Sequence, residues 1–347
     1  MPGRPTPLPV ALAGRAFSTS EAMASGLTQG RLRGSDLERP FHGVRRLPLS
    51  AGDTTRVVDG GVCSLVEADA RAASLVLPGD AAYSHCTAAL LHGLPLPRSH
   101  EHTGPLHVMR PTGRNPVDRP GIRPHLGLQA RRLVTVGGLR VVSVADTWAD
   151  LGSLLGVEDL VVAGDRVARL AGSTHPLHEV LDRRGRGARG VRALREALAW
   201  VRVGADSAME TRSRLLFCRH GLPEPEVNVP VMAADGSGFL CRGDFVWRAR
   251  KVVGEYQGAH HFGSFRRGDD DISRRLLVED DGWKYVELTP LGPRQPGPAT
   301  RPAAPAGCLP RRRGGGRASS SRLDGAVCHH LDVLVRRVGR DSREPAG

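Results

Sequence analysis

Asp244, in the run RGDFVW, and Glu255, in VVGEYQ, are carboxylates eleven residues apart within two apolar stretches. If each stretch is a strand and the segment between them a tight turn, the two carboxylates converge at one end of a hairpin. Glu255 and Gln257 are two residues apart and project from the same strand face. A third acid, Glu210, stands one turn into the preceding helix. Two or three carboxylates meeting at a sheet edge are the hard oxygen ligands that Mg²⁺ (or Mn²⁺) takes, with positions left open for water and phosphate. A cation held there would polarise a phosphodiester and supply a hydroxide nucleophile. His260 and His261, just past the second strand, are placed to shuttle the proton. Each acid also has an ordinary reading. Glu210 can pair with Arg214 four residues on, Asp244 can cap a strand turn, and Glu255 can be a solvated strand residue. Taken singly these are the commoner roles; the spacing of Asp244, Glu255 and Gln257 behind an α–β hairpin is what argues for a site.

The elements that must position these residues are legible over 205–289. A helix over 207–221 ends at Gly221, and EVNVPV (226–231) alternates apolar and polar residues with period two. Asp235-Gly236 is a hairpin turn, followed by strands over 239–247 and 251–257 separated by Arg248-Ala249-Arg250. A helix over 270–282 and a strand over 283–289 close an α-β-β-β-α-β unit.

SAMETRSRLLFCRHGLPEPEVNVPV, RGDFVW, VVGEYQGAHH and ISRRLLVEDDGWKYVELT, in that order, together resemble the endonuclease-like domain related to very-short-patch repair (Vsr) endonucleases, of the PD-(D/E)XK nuclease superfamily. The resemblance covers about 205–289. It implies a restriction-endonuclease-like fold with Asp244 and Glu255 as metal ligands. Glu210 becomes the helix acid that completes or orients the site, and His260 or His261 catalytic support. This sequence departs from the pattern at Gln257, where the superfamily's lysine would sit; a neutral amide orients a water but holds no charge beside a nucleophile. GSFRRGDD (263–270) also lacks the period of the charged helix that relatives carry there.

Upstream, Ser18-Thr19-Ser20-Glu21 is a capping box, Gly26 can end the helix it opens, and Thr28 can cap a second helix over 29–33 carrying Arg31 and Arg33. PFHGVRRLPL (40–49), with Arg45 and Arg46, reads as a strand or wing. Two short helices and a basic wing suggest a winged-helix-like module that contacts DNA through these four arginines; an ordinary helical hairpin with solvated arginines has the same pattern. Residues 61–200 read as mixed α/β, with helices over 65–77, 84–94, 157–170 and 191–201 and short β-rich runs within 105–111 and 139–148. The loop RRGRGARG occupies 183–190, and Gly204 marks a boundary. FSTSEAMASGLTQGRLRGSDLERPFHGV, YSHCTAALLHGLPLP and LRVVSVADTWADL resemble actinobacterial proteins joining an AbiEi-type antitoxin-like region to such a nuclease-like domain. AbiEi antitoxins are winged-helix repressors of type IV toxin–antitoxin systems, so a cognate toxin or a repair partner is an implied companion. Ser84-His85 and Asp150 can also be helix caps, and Asp146 holds a position usually basic in those relatives.

The 347 residues carry 49 Lys plus Arg against 36 Asp plus Glu, a formal charge of +13. Only Lys251 and Lys284 are lysine, the mark of a GC-rich genome more than of nucleic-acid binding. Residues 291–347 hold 11 Arg and 4 acids, a net +7, so over half the basicity lies in a Pro, Gly, Arg and Ser-rich tail that reads as disordered. The change at Pro290 is what a frameshift near codon 289 would produce, and it replaces the final amphipathic helix of the relatives. Six cysteines without a CxxC pair argue against a disulfide scaffold and a structural zinc site, and no apolar run can span a membrane; a reducing cytoplasm is the expected location. The expected fold class is α/β (α+β): a winged-helix-like module (1–60), an antitoxin-like α/β region (61–203), a PD-(D/E)XK-like domain (204–290) and a tail (291–347). Two function classes follow. One is a Mg²⁺-dependent DNA endonuclease with an N-terminal DNA-binding module. The other is a non-enzymatic, antitoxin-like DNA-binding regulator with a degenerate nuclease domain, which Gln257 and the altered C-terminus favour.

Overall fold

The computed structural model describes residues 6–49, 64–101, 104–236, 238–256, 275–288 and 338. The chain divides between Val203 and Gly204 into two units. Both mix helices and sheets, as the apolar patterning predicts. Among the described residues no helix is long and apolar enough to cross a membrane.

In the first unit, β1 (Phe17–Ser18) leads into α1 (Thr19–Ala24), whose N-cap Ser18 accepts the Glu21 N–H at 3.1 Å. Gly26, at φ +85°, follows the helix end. The Glu21 carboxylate reaches back to the Ser18 backbone N–H, closing the capping box, and also pairs with the Arg15 guanidinium. The second helix expected over 29–33 is only a 3-10 turn, Arg31–Arg33, set between Gly30 and Gly34. Of the strand expected over 40–49, β2 (Val44–Arg45) pairs antiparallel with β1, and Glu38 bridges Arg46.

Next come α2 (Ser64–Ser74), β3 (Ala82–Tyr83), α3 (His85–Leu91), α4 (Arg98–Glu101), β4 (Leu106–Arg110), β5 (Ile122–Leu126), β6 (Leu133–Val136) and β7 (Leu139–Val142). The strands form a sheet of order β5-β4-β3-β7-β6, with β4 parallel to β5 and β3 parallel to β7. Val108 and Val141 of the sheet join Ala70, Ala73, Ala88 and Leu91 of α2 and α3 in one core. The short β-rich run expected within 139–148 is β7. Ser143, whose hydroxyl accepts the Asp146 N–H, stops β7 and caps α5 (Val144–Leu151). α6 (Val157–Ala171), α7 (His175–Arg184) and α8 (Val191–Leu198) pack beside it. Trp148 is fully buried there and donates to the Leu160 carbonyl at 2.8 Å. α7 occupies a stretch in which the sequence showed no element, because its polar residues outnumber its buried Leu177, Val180 and Leu181.

In the second unit, α9 (Ala208–Arg219), β8 (Glu226–Met232), β9 (Phe239–Trp247), β10 (Val252–Tyr256), a helix α10 (275–280) and β11 (Lys284–Leu288) follow in the expected order. The sheet order is β11-β10-β9-β8, antiparallel except that β10 and β11 run parallel. Period-two burial gives it two faces. Phe245, Trp247, Val252 and Val286 pack on Leu216 and Phe217 of α9, while Val246, Val253 and Tyr285 pack on Val278 of α10. Phe217 meets Phe245 edge-on with centroids 5.1 Å apart, the arrangement that ring quadrupoles prefer. Of the tail beyond residue 290, only Val338 is described; it is helical and fully buried in the Phe217–Phe245–Trp247 cluster.

Candidate functional site

The β9–β10 ladder ends at the pair Phe245 and Gly254, and one step further the same register sets Asp244 opposite Glu255. The two acids thus meet at the open end of the hairpin, remote from its Arg248–Arg250 turn. The Tyr256 N–H donates to Asp244 Oδ2 at 2.8 Å, and on the other side Glu255 pairs in register with Glu287 of β11. Burial holds the Asp244 carboxyl above the ordinary aspartate value of 3.8; the Tyr256 N–H opposes this, while the charges of Glu255 and Asp206 add to it.

Glu210 lies within electrostatic reach of Asp244, and burial first, then that charge, push its proton affinity up. Both of its oxygens are engaged: Oε1 accepts the Ser207 hydroxyl at 2.9 Å, and Oε2 accepts the Asp206 N–H at 2.8 Å and the Asn228 amide. Ser207 in turn accepts the Glu210 N–H at 3.2 Å and so caps α9, while Glu210 reaches back to the Ser207 hydroxyl and the preceding Asp206 N–H. Arg214 turns to Glu224 at 2.7 Å. Replacing Ser207 by Ala removes the cap and frees Glu210 Oε1, and should cost about 1 kcal/mol. A fall in the urea midpoint at unchanged slope would report it; an unchanged midpoint would refute the capping role. Gln257, His260 and His261 lie outside the described residues.

A hard divalent cation fits the acids that are described. The donors are carboxylate oxygens, they repel one another, and burial withholds the water that would screen them. Asp244 and Glu255 are the residues that would hold Mg²⁺ or Mn²⁺. Glu210, whose carboxylate is held by three donors from Ser207, Asp206 and Asn228, orients the neighbourhood.

The arginines expected to read DNA are placed differently from one another. Arg31 forms a two-pronged ion pair with Asp36 at 2.9 and 2.7 Å and donates to the Thr6 carbonyl, its side chain only 9% exposed. Arg45 donates to the Leu32 and Val44 carbonyls, both at 2.8 Å. Arg46 bridges Glu38 and Asp69 of α2 at 2.7 and 2.6 Å. These three hold the 3-10 turn, β2 and α2 together because acids and carbonyls lie within their reach. Arg33 is exposed.

A second cluster was not apparent in the sequence. Among the described residues, the set of three ligand-type side chains whose donor atoms all lie within 4.8 Å of one another is His85, His107 and His125. They come from the start of α3, from β4 and from β5. His107 Nδ1 and His125 Nε2 are 3.0 Å apart, and the His85 and His125 rings stack at 3.7 Å. His85 Nδ1 is 3.0 Å from Ser84 Oγ, which is why Ser84 does not cap α3 through its hydroxyl. Burial depresses all three, His85 and His107 to about 3; neighbouring rings and Arg123 add to this at His85 and His107, while at His125 Asp150 opposes it and Arg123 adds to it. Beside them Asp150 of α5 pairs with Arg131 at 2.8 Å and with Arg184 of α7.

Two uncharacterized proteins of Mycobacterium tuberculosis, MT2308 of strain CDC 1551 / Oshkosh and Rv2248 of strain H37Rv, are each 28% identical to this chain over 207 residues. The match covers 58% of this chain and 72% of theirs. No family model matches the chain, and no solved structure matches it.

Proposed function

We propose that the second unit is a divalent-metal-dependent DNA endonuclease domain carried by a chain whose N-terminal module binds DNA in the cytoplasm. The observation that carries this reading is the juxtaposition of Asp244 and Glu255 at the open end of the β9–β10 hairpin, with the Asp244 proton affinity raised by burial and by its neighbours. Mg²⁺ or Mn²⁺ held by these acids would supply Lewis-acid polarisation of a phosphodiester. The chain's own residues do the rest. The Tyr256 N–H fixes one oxygen of Asp244 and leaves the other for the cation. Ser207, Asp206 and Asn228 hold the Glu210 charge beside it. Gln257, beyond β10, orients a water, and His260 or His261 moves the proton to or from it. Arg33 offers an exposed cation for a phosphate.

A second reading has an observation of its own. Glu210 is committed to its contacts with Ser207, Asp206 and Asn228, leaving two described carboxylates for the cation, and Gln257 supplies no charge; a DNA-binding regulator of antitoxin type needs no turnover. Incubating the untagged chain with supercoiled plasmid and Mg²⁺ or Mn²⁺, with and without EDTA, separates the two. Nicking that requires the cation supports the endonuclease. Duplex binding without nicking in either cation supports the regulator, and equal nicking in EDTA overturns the metal site.

A further inference from the structure

Three buried or half-buried imidazoles converge in the first unit, and none is hydrogen-bonded to a carboxylate among the described residues. Each neutral ring carries one lone pair; His107 Nδ1 and His125 Nε2 are 3.0 Å apart and share one proton as a hydrogen bond, so an ion binding both nitrogens would displace that proton to the other nitrogen of its ring. A tetrahedral ion with metal–nitrogen bonds of about 2.0–2.1 Å holds its ligand nitrogens about 3.3 Å apart, so only a small opening of this pair is needed. His85 reaches the cluster from a left-handed backbone, φ +47°, an uncommon conformation for a residue with a Cβ, which costs on the order of 1 kcal/mol. Ser84 holds its Nδ1 at 3.0 Å and leaves Nε2 for an ion, the outer contact that ligating imidazoles generally have.

The surroundings select the kind of ion. Arg123, Arg131 and Arg184 impose a positive potential on His85, which disfavours a hard dication whose gain is purely electrostatic. A late transition metal, bound through nitrogen covalency, tolerates it. Asp150 Oδ2 is buried with no hydrogen-bond partner among the described residues, and its charge is felt at His125. That places a negative charge near His125 without a hydrogen bond to it.

We propose that His85, His107 and His125 form a three-nitrogen site for a transition-metal dication of the Zn²⁺ type, with a fourth position open. It is separate from the carboxylates of the second unit and does not depend on the endonuclease reading.

The test uses the untagged full chain, stripped with EDTA and desalted, titrated with Co²⁺ as a spectroscopic probe. The expected result is one equivalent of visible ligand-field absorption per chain. Zn²⁺ should displace it, and excess Mg²⁺ should not. His125→Gln, at the half-exposed member of the cluster, should weaken Co²⁺ binding by about tenfold to a hundredfold or more while circular dichroism stays unchanged. Asp244→Asn should bind as wild type. Wild-type protein that binds no stoichiometric Co²⁺, or variants at His125 and His107 that bind it fully, would overturn the proposal; the latter result would move the metal to another group. As a measurement free of variants, Zn²⁺ should raise the wild-type melting temperature, and EDTA should reverse that; no shift counts against the site.

Discussion

Asp150→Ala should destabilise the first unit by roughly 3–5 kcal/mol, the usual cost of leaving buried charges uncompensated. The Asp150 side chain is 1% exposed, and its partners Arg131 and Arg184 are 18% and 11% exposed. Removing the carboxylate strands two guanidiniums that are mostly shielded from water, and it does so next to His85, whose charged form those arginines already oppose. The loss is a large part of a typical domain stability of about 5–15 kcal/mol. Asp150→Asn keeps the shape and one acceptor and should cost less. Denaturant unfolding of both variants measures the difference; a cost below about 1 kcal/mol for Asp150→Ala would mean the two arginines find water, and the cluster is less buried than described. The same variant has a second readout. Asp150 favours the charged form of His125, so its loss should lower the His125 pKa further, a shift that NMR titration detects.

The second unit was legible because each of its elements announces itself locally. Phe239–Trp247 alternates faces, Gly236 takes a left-handed φ of +77° at the hairpin turn, and Ser207 opens α9 with Glu210 three residues on. The facing of Asp244 and Glu255 follows from those elements once the Arg248–Arg250 turn fixes the register. Side-chain partnerships were not legible in the same way. Arg31 belongs to Asp36 because a 3-10 turn between two glycines brings a carboxylate five residues away under its guanidinium. A sequence shows only a basic residue there. The histidine cluster was the least visible. His85, His107 and His125 stand on three elements, and their meeting depends on β4 pairing parallel with β5 and on a non-glycine residue taking φ +47°. No spacing rule encodes either. A lone histidine within an apolar stretch such as LHVMR reads as a core residue, and only the tertiary fold distinguishes one that packs from three that converge.

Asp244→Asn should abolish cation-dependent nicking and, in metal-free buffer at neutral pH, should make the second unit more stable. The loss of activity follows from the ligand set: the amide keeps an acceptor for the Tyr256 N–H but removes a charge from a site of two described carboxylates, and a direct ligand should cost more than the roughly tenfold to hundredfold of an outer-shell partner. The gain in stability follows from linkage. Burial first, then the charges of Glu255 and Asp206, raise the Asp244 pKa above its ordinary 3.8. The folded state therefore holds that proton to a higher pH than the unfolded chain does. Stability contributed by this group is greatest below the unfolded value, declines as pH rises from about there through the raised folded pKa, and stays low above it. A neutral asparagine has no such decline. Unfolding midpoints measured in EDTA from acid to neutral pH should fall more steeply for wild type than for the variant, and the two curves should diverge most at neutral pH. Mg²⁺ should then recover wild-type stability by binding the folded state, and leave the variant nearly unmoved. Nicking by Asp244→Asn at the wild-type rate would remove Asp244 from the site. A variant less stable than wild type at neutral pH in EDTA would show that the Tyr256 contact outweighs the repulsion, and that the acids are held together without need of a cation.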